Sequence, residues 1–423
     1  MTFPENFRTH FMPDNLTTPP LHGGNGIMTV IPDVNSRMDL INSVPLLDVG
    51  RGNAPLKAEI MSVFSDIIDS GWFVGGPHVK SLEQSVAQVS GVDHAIGCAS
   101  GSEALLLALM AINIEPGDEV ICPSFTFFAT TSAISRLGAT PVFVDIDPNT
   151  FNIDPQKLGA LITSRTKAII PVHLFGQCCD MDPILKVAED HGLTIIEDCA
   201  QSIGATDKGR PAGSMGAIGC FSFYPTKNLG GFGDGGMLTA SDPEIADRLR
   251  LLANHGMKPR YYHREVGINS RLDAMQAAVL GIKIRHLTEY GESRRNNAIR
   301  YRELMVRAGI ASIVCPPNES KDCCHVWNQF TIRIPDGKRD KVRELLAAKN
   351  VGSEIYYPVP MHQQECFLDV PVEMSSLIQT ECAAAEVLSL PIFPELTSAE
   401  QKYVVDCLAK VLAELEIRAT RAA

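Results

Sequence analysis

The 423-residue sequence has no apolar run long enough to cross a lipid bilayer, and its N-terminus has no basic-plus-apolar pattern of a secretory signal peptide. Its 37 basic residues are outnumbered by 49 acidic ones, for a formal net charge of −12. That balance argues against a protein that coats nucleic acid. We therefore expect a cytoplasmic protein of small-molecule chemistry, with no nucleic-acid or membrane partner.

The twelve cysteines form no C-x-x-C pair and no repeated spacing of the kind that zinc sites use. Two adjacent pairs occur, at Cys178–Cys179 and Cys323–Cys324, and other cysteines lie in apolar runs around Cys122 and Cys220. Isolated cysteines in apolar runs are typical of buried thiols in a reducing compartment. The sequence therefore predicts reduced thiols and no metal site.

No internal repeat is visible, and the composition, 45% apolar and 20% charged, is that of a globular protein. Residues 1–43 are rich in Pro, Asn, Thr and Gly, and we expect a loose N-terminal extension there. Residues 44–280 alternate short apolar runs with helical patterns, which predicts a large α/β domain with a mostly parallel central sheet. Residues 281–423 predict a smaller C-terminal α+β domain.

Apolar periodicity predicts the individual elements. Strands are expected at 94–97, 119–122, 141–144, 168–172, 194–197, 219–223, 328–333 and 352–356. Helices are expected at 56–70, 79–89, 102–111, 129–137, 182–191, 243–253, 282–308 and 338–349.

Lys227 has the most informative setting in the chain. It stands between the apolar run 219–223 and a glycine-dense loop at 230–236. A lysine that loses its hydration has a lowered pKa, and its amine becomes a nucleophile toward a carbonyl group. The glycines allow backbone to approach a ligand closely.

Other chemically capable residues follow predicted strands. Gly101 and Ser102 begin a helix after one strand, and a helix N-terminus can hold an anion, although ordinary capping also explains them. Asp198 ends another strand, where ligands bind in open α/β sheets or where a turn aspartate stands. Phe127 and His173 follow two more strands, and each is also compatible with a structural role.

These features gain weight together because the carboxyl ends of parallel strands meet at one edge of a sheet. An anion cradle, an aromatic ring, a carboxylate and a lysine amine, in that chain order, match the needs of pyridoxal phosphate (PLP). The carboxylate would keep the cofactor's pyridine nitrogen protonated and so strengthen the ring as an electron sink. We predict a PLP enzyme.

The chain also resembles the DegT/DnrJ/EryC1/StrS sugar aminotransferases, a PLP-dependent family of fold type I. The resemblance runs from about Pro45 to Leu408. The matching segments are 69–77, 99–105, 123–127, 142–147, 171–177, 197–202, 221–229, 267–273 and 357–360.

The resemblance implies roles for the catalytic residues. Lys227 would bind the cofactor covalently and move a proton between the cofactor and the sugar carbon. Asp198 would pair with the pyridinium nitrogen, and His173 is counted as a third catalytic residue. Lys227 stands where a related dehydratase branch has histidine, which favours aminotransfer.

Contacts to the cofactor and the substrate are implied in the same way. Phe127 would stack on the cofactor ring, Gln201 would lie near its phenolic oxygen, and the phosphate would be held by Gly101, Ser102 and Ser222. Asn269 would reach the phosphate from the other subunit of a homodimer, and Arg271 would cross the same interface toward the sugar. Substrate contacts are also assigned to Tyr224 and Tyr357.

The expected reaction moves an amino group from glutamate to a nucleotide-linked keto-sugar for cell-surface polysaccharide synthesis. The segment 260–273 resembles that of a subgroup that aminates the 3-keto position, including one acting on a UDP-linked uronate derivative. Its basic residues Arg260, His263, Arg264 and Arg271 suit a carboxylate or a diphosphate, or form a solvated loop. The alternatives are a 4-keto-sugar aminotransferase, an amino-acid lyase of the same fold and a non-catalytic regulatory protein.

Overall fold

The computed structural model describes residues 41–314, 316, 318–370 and 377–416. The first forty residues of the predicted N-terminal extension therefore lie outside the described residues. The described chain from Ile41 onward forms one compact unit.

The centre is a seven-stranded sheet with the order β1-β9-β8-β5-β4-β2-β3. Only β9 is antiparallel to its neighbours β8 and β1, so the other six strands run in one direction. This confirms the predicted α/β fold with a mostly parallel sheet. The strands are β1 His94–Cys98, β2 Glu119–Pro123, β3 Thr140–Val144, β4 Thr166–Ile169, β5 Thr194–Asp198, β8 Ile218–Ser222 and β9 Gly236–Ala240.

Two small sheets complete the β structure. One contains β6 Thr206–Asp207, β7 Arg210–Pro211 and β10 Cys323–Cys324, and the other pairs β11 Phe330–Arg333 with β12 Val387–Leu390. A large apolar core lies around β11 and β12 and includes the fully buried Trp327, Phe330 and Phe393.

Helices cover both faces of the central sheet, as its apolar strands require. They are α1 Val49–Asn53, α2 Lys57–Ser70, α3 Pro77–Ser90, α4 Gly101–Ala111, α5 Phe128–Arg136, α6 Met181–His191, α7 Pro243–Leu252, α8 Ala274–Lys283, α9 Leu287–Arg307, α10 Ala311–Val314, α11 Arg339–Ala347, α12 Ile378–Glu386 and α13 Ser398–Glu414. None of the helices in the described ranges is long and apolar enough to cross a membrane.

Local sequence explains several helix ends. The helices α2, α3 and α6 each stop at a glycine with positive φ, and α13 starts with a capping box between Thr397 and Glu400. Seven of the eight helices predicted from apolar periodicity lie within two residues of their observed bounds.

Three predicted elements are corrected. The single helix expected at 282–308 is divided into α8 and α9 by the 3-10 turn Ile284–His286. The strand expected at 352–356 is reduced to a bridge between Glu354 and Ser389. The strand expected at 168–172 is regular only as far as Ile169, although Val172 still bridges Asp198 in the same register, because Pro171 has no N–H to give to the ladder.

Candidate active site

A cavity of about 610 Å³ opens at the carboxyl edge of the central sheet. Such a volume is typical of small-molecule sites, and this edge is where open α/β sheets bind ligands. Its lining comes from segments that follow β1, β2, β4, β5 and β8, and includes Ser100, Gly101, Ser102, Thr126, Phe127, Val172, Asp198, Gln201, Ser222, Tyr224 and Lys227. Chain segments far apart in sequence therefore meet here as predicted.

One wall of the cavity is the N-terminus of α4. Ser100 caps this helix by accepting a hydrogen bond from the backbone N–H of Glu103 (3.2 Å). The first N–H groups of a helix have no intrahelical acceptor, and the helix dipole is positive there. A Cβ on Gly101 would lie 2.7 Å from the Cβ of Ser222, so only glycine lets the two segments meet. The wall is a built cradle for an anion.

Lys227 also lines the cavity and lies after the turn that follows β8. Desolvation lowers its pKa from 10.5 to about 8, and the negative charge of Asp198 partly offsets that effect. Much more of this amine is therefore neutral near pH 7 than of an exposed lysine amine. That is the state in which it can attack a carbonyl group or accept a proton.

Asp198 is 4% exposed and is held from two sides. Its Oδ2 accepts a hydrogen bond from Thr130 Oγ1 (2.8 Å), which is also paired with Thr126 Oγ1 (2.9 Å), and its Oδ1 accepts one from the N–H of Ala200 (3.2 Å). Burial raises the pKa of the carboxyl, and these hydrogen bonds oppose that shift. The arrangement fixes one orientation of the carboxylate in the cavity wall.

Gln201, which follows β5, is held by two hydrogen bonds. Its Oε1 accepts a hydrogen bond from the backbone N–H of Phe175 (2.6 Å), and its Nε2 donates to the hydroxyl of Tyr357 (3.3 Å). The ring of Tyr357 lies 6.0 Å from that of Phe127, centroid to centroid. Phe127 is 56% exposed, so its ring borders the cavity without being packed into the core.

His173 has a different position. It is fully buried and is not among the described residues that line the cavity. Its Nε2 pairs with Glu197 (2.9 Å), and its Nδ1 accepts the N–H of Cys179 (3.1 Å). Its backbone N–H donates to the carbonyl oxygen of Asp198 (3.0 Å). These contacts place the ring of His173 outside the cavity lining and join its backbone to Asp198, and its catalytic role stays a prediction.

Three potential metal ligands, on His173, Glu197 and Cys199, lie within 4.8 Å of one another. The carboxylate of Glu197 already accepts four hydrogen bonds, from His173 Nε2 and from three backbone N–H groups at 213, 215 and 216. Those hydrogen bonds explain the cluster without a metal ion.

Comparison with known proteins places this site in a family. The sequence model of the DegT/DnrJ/EryC1/StrS aminotransferase family matches residues 55–409. The chain belongs to this family. The resemblance inferred from the motifs is therefore confirmed.

Individual members of the family are similar over nearly their whole length. A pleiotropic regulatory protein of Geobacillus stearothermophilus is 47% identical, over 87% of this chain and 98% of its own. The UDP-N-acetyl-3-dehydro-alpha-D-glucosamine 3-aminotransferase of Acidithiobacillus ferrooxidans is 45% identical, over 88% and 98%. The solved structure of DesV from S. venezuelae is 41% identical and superposes with a TM-score of 0.83, over 88% and 98%.

The protein is thus a PLP-dependent aminotransferase, and the cavity fits the cofactor. The α4 cradle suits a phosphate because Gly101 leaves room for close approach, and Gly236, where a Cβ would lie 2.4 Å from the carbonyl carbon of Ser100, closes the turn behind it. Lys227 supplies an amine of lowered pKa and Asp198 a buried carboxylate. The residues present satisfy the chemistry that PLP needs.

Two predicted residues lie apart from this cavity. Asn269 and Arg271 are exposed and are not among the described residues that line it. Instead, Asn269 bridges Asn254, and Arg271 donates to Asn254 Oδ1 (3.1 Å). The basic residues Arg260, His263 and Arg264 are exposed on the same loop.

The sequence interpretation missed several lining residues. Thr126 was part of a recognised strand-end segment, but its hydrogen bond to Thr130 depends on how β2 leads into α5. Asp234, Gln329 and Tyr356 also line the cavity. Asp234 lies in the glycine-dense loop after Lys227, a signal that could have been used, whereas Gln329 comes from a distant part of the chain and carried none.

Proposed function

We propose that this enzyme transfers an amino group from glutamate to the keto group of a nucleotide-linked sugar, with a 3-keto sugar favoured over a 4-keto sugar. The observation that carries the proposal is that one cavity brings together Lys227, Asp198 and the anion cradle of α4. The relative that is 45% identical is named as a 3-aminotransferase of a UDP-linked 3-dehydro sugar, which supports the 3-keto position.

In this proposal Lys227 is the acid–base residue. Its neutral amine accepts the proton from the reacting carbon of glutamate and returns a proton on the other side of the transfer. When bound, PLP disperses the negative charge left on that carbon. Because the pKa of Lys227 is about 8, the amine can both accept and release a proton near neutral pH.

Asp198 would keep the proton on the pyridine nitrogen of the cofactor, and the hydrogen bonds from Thr130 and Ala200 hold its carboxylate in place. Gln201 is fixed between Phe175 and Tyr357, and its side chain would lie near the cofactor's phenolic oxygen. Phe127 offers a ring face at the cavity border, and Ser102 and Ser222 complete the phosphate cradle with hydroxyl groups. Tyr224 and Tyr357 are proposed to contact the sugar.

A homodimer would complete the site. The loop 254–271 that carries Asn269 and Arg271 is rich in exposed apolar side chains, including Tyr261, Tyr262 and Val266. A further exposed apolar segment, 72–74, lies beside it, because Val74 bridges Asp273. Exposed apolar side chains in such number are typical of a protein–protein interface. A second copy seated here could direct Asn269 toward the phosphate and Arg271 toward the sugar.

The two-domain division at residues 44–280 and 281–423 also stays a proposal, supported by the separate β11–β12 sheet and its core. A cytoplasmic location is proposed with it. The eleven described cysteines are all free, and seven of them are buried, as thiols in a reducing compartment are.

The deciding experiment follows visible absorbance of the PLP-loaded protein while glutamate and then keto-sugars are added. We expect glutamate to bleach the cofactor band and a UDP-linked 3-keto sugar to restore it, with an amino sugar detected by mass spectrometry. The matching 4-keto sugar and dTDP-linked 3-keto sugars serve as comparisons. A band that glutamate leaves unchanged would contradict the proposed donor, and recovery only with the 4-keto sugar would reverse the proposed position.

A regulatory function is the second candidate, because the relative that is 47% identical is named a pleiotropic regulatory protein. Lys227→Ala separates the two functions. A biological effect that survives this substitution would favour regulation without turnover.

A further inference from the structure

The segment 269–273 alternates exposed and buried side chains. Asn269, Arg271 and Asp273 are exposed, whereas Ser270 and Leu272 between them are buried. An extended backbone produces this alternation, because successive side chains point to opposite sides. One short segment therefore has an outer side of polar residues and an inner side that packs on its own chain.

The inner side of this segment contacts the turn that leads into the anion cradle of α4. Ser270, which is 0% exposed, accepts a hydrogen bond through its Oγ from the backbone N–H of Ala99 (3.1 Å). Ala99 directly precedes Ser100, the residue that caps α4. Leu272 packs beside this contact, since a Cβ on Gly97 would lie 3.0 Å from the Cβ of Leu272. The hydroxyl of Ser270 thus holds the residue before the helix cap.

The backbone of the same segment is fastened to the end of α7. The N–H of Ile268 donates to the carbonyl of Leu252 (2.8 Å), and the N–H of Ser270 donates to the carbonyl of Ala253 (3.0 Å). Asn269 lies between these two anchors and is exposed. The position of Asn269 therefore depends on how firmly Ser270 is held.

Ser270 is not among the described residues that line the cavity at the carboxyl edge of the sheet. Its hydroxyl reaches that site through Ala99, which lies at the phosphate end of the cavity. Loss of the hydroxyl should therefore act on the phosphate end and not on the end at Lys227 and Asp198. A serine that only stabilised the fold would act on both ends alike.

We propose that Ser270 is a positioning residue that serves two cofactor sites of a homodimer. Its hydroxyl holds the α4 cradle of its own chain, and the same hydrogen bond steadies Asn269 for the phosphate in the second copy. The second part rests on the proposed function, which assigns Asn269 to the site of the other subunit. The Ser270 hydroxyl thus connects the phosphate site of one chain with a residue that completes the other.

The first test compares the affinities of PLP and of pyridoxal, which lacks the phosphate, for the full chain freed of cofactor. In Ser270→Ala we expect the dissociation constant of PLP to rise about tenfold, the effect of one lost hydrogen bond, and that of pyridoxal to stay unchanged. Ser270→Cys keeps a weaker acceptor and should lie between. Ser389→Ala is the matched control. Ser389 is also buried and its Oγ pairs with Thr331 Oγ1 (2.8 Å), but it is not among the described residues that line the cavity.

An equal rise for PLP and pyridoxal would mean that Ser270 acts only through the fold, and it would overturn the proposal. An unchanged affinity for PLP in the folded Ser270→Ala variant would overturn it too, as would an equal effect in Ser389→Ala. These measurements require no amino transfer, so failure of the proposed reaction would leave the test intact.

The second test separates the two sites with hybrid dimers that keep a single Lys227. The two chains carry different affinity tags, so that only hybrids are recovered. In one hybrid Ser270→Ala is in the chain that keeps Lys227, and the change acts on the cradle of that chain. In the other it is in the chain with Lys227→Ala, and it reaches the intact site through Asn269. We expect the ratio of the PLP to the pyridoxal dissociation constant to rise in both, relative to the hybrid without Ser270→Ala.

A change confined to the first hybrid would limit Ser270 to its own site and overturn its link to the second copy. A change confined to the second hybrid would overturn the role of Ser270 in its own cradle. If the chain formed no dimer, the proposed dimeric site would fail and the link with it, whereas the first test would still decide the role of Ser270 within one chain.

Discussion

The carboxyl edge of the sheet and the loop 254–271 contribute to the proposed site in opposite ways. At the edge, Asp198 and Gln201 are buried and are each fixed by hydrogen bonds within the chain. On the loop, Asn269 and Arg271 are exposed, and their contacts are to Asn254. The residues at the edge have their hydrogen-bond partners within one chain, whereas we propose that Asn269 and Arg271 act on a second copy of the chain.

This difference separates two kinds of function. Residues that act on the cofactor are held by a rigid scaffold, which suits groups that must keep one geometry through the reaction. Residues proposed to act across a dimer can be positioned only when the second copy binds.

The largest effect is expected at the edge. Lys227→Ala should lower the rate of amino transfer by at least about 10⁴-fold, because the amine is both nucleophile and acid–base group. The cofactor absorbance band that glutamate bleaches should be lost. Lys283→Arg is the matched control. Lys283 is also buried and its pKa is also lowered to about 8, but it does not line the cavity at the carboxyl edge of the sheet. Loss of the band in both variants would contradict the assignment of Lys227 as the residue that binds the cofactor.

A smaller loss is expected for Asp198→Asn, about 10²–10³-fold in the rate of amino transfer, since the amide cannot hold a proton on the ring nitrogen by charge. The same change tests the electrostatics of Lys227. The carboxylate of Asp198 raises the pKa of Lys227, so its removal should lower that pKa below about 8. The rate of PLP binding should rise with pH around about 8 in the wild type and around a lower pH in the variant. A midpoint that moves upward would contradict the assignment.

The contribution of the loop 254–271 is tested by mixing two impaired variants of the chain. Asn269→Ala should lower activity about tenfold to a hundredfold by removing hydrogen bonds to a charged phosphate. If Asn269 acts on the partner's site, a mixture with Lys227→Ala contains hybrid dimers with one intact site. Random pairing gives activity of about one quarter of the wild type.

The mixture distinguishes the two arrangements, because activity does not recover if Asn269 acts on the site of its own chain. If Asn269 served the site of its own chain, both sites of a hybrid would be defective. Arg271→Ala, mixed with Lys227→Ala in the same way, tests whether its contact with the sugar also crosses the interface. Activity no higher than that of the separate variants would remove the proposed dimeric site.

Sequence reasoning predicted the edge better than it predicted the rest of the site. Parallel strands bring their carboxyl ends together, so Gly101, Asp198 and Lys227 could be placed in one cavity from chain order alone. The antiparallel strand β9 was not predicted, because it begins at Gly236 inside the glycine-dense loop and because strand direction leaves no local sequence signal. The position of Gln329 in the cavity lining depends on how residues about a hundred positions apart in sequence pack, and no local pattern encodes that.

The smallest expected effect tests how finely the edge is positioned. Thr130→Val removes the hydroxyl that donates to Asp198 Oδ2 (2.8 Å) while keeping the volume of the side chain. Because that hydrogen bond lowers the pKa of Asp198, its loss should raise the pKa further and reduce the rate of amino transfer about tenfold. Thr131→Val is the matched control, since Thr131 is equally buried but donates to the carbonyl of Phe128. Equal losses in the two variants would mean that α5 packing matters and that the hydrogen bond to Asp198 does not.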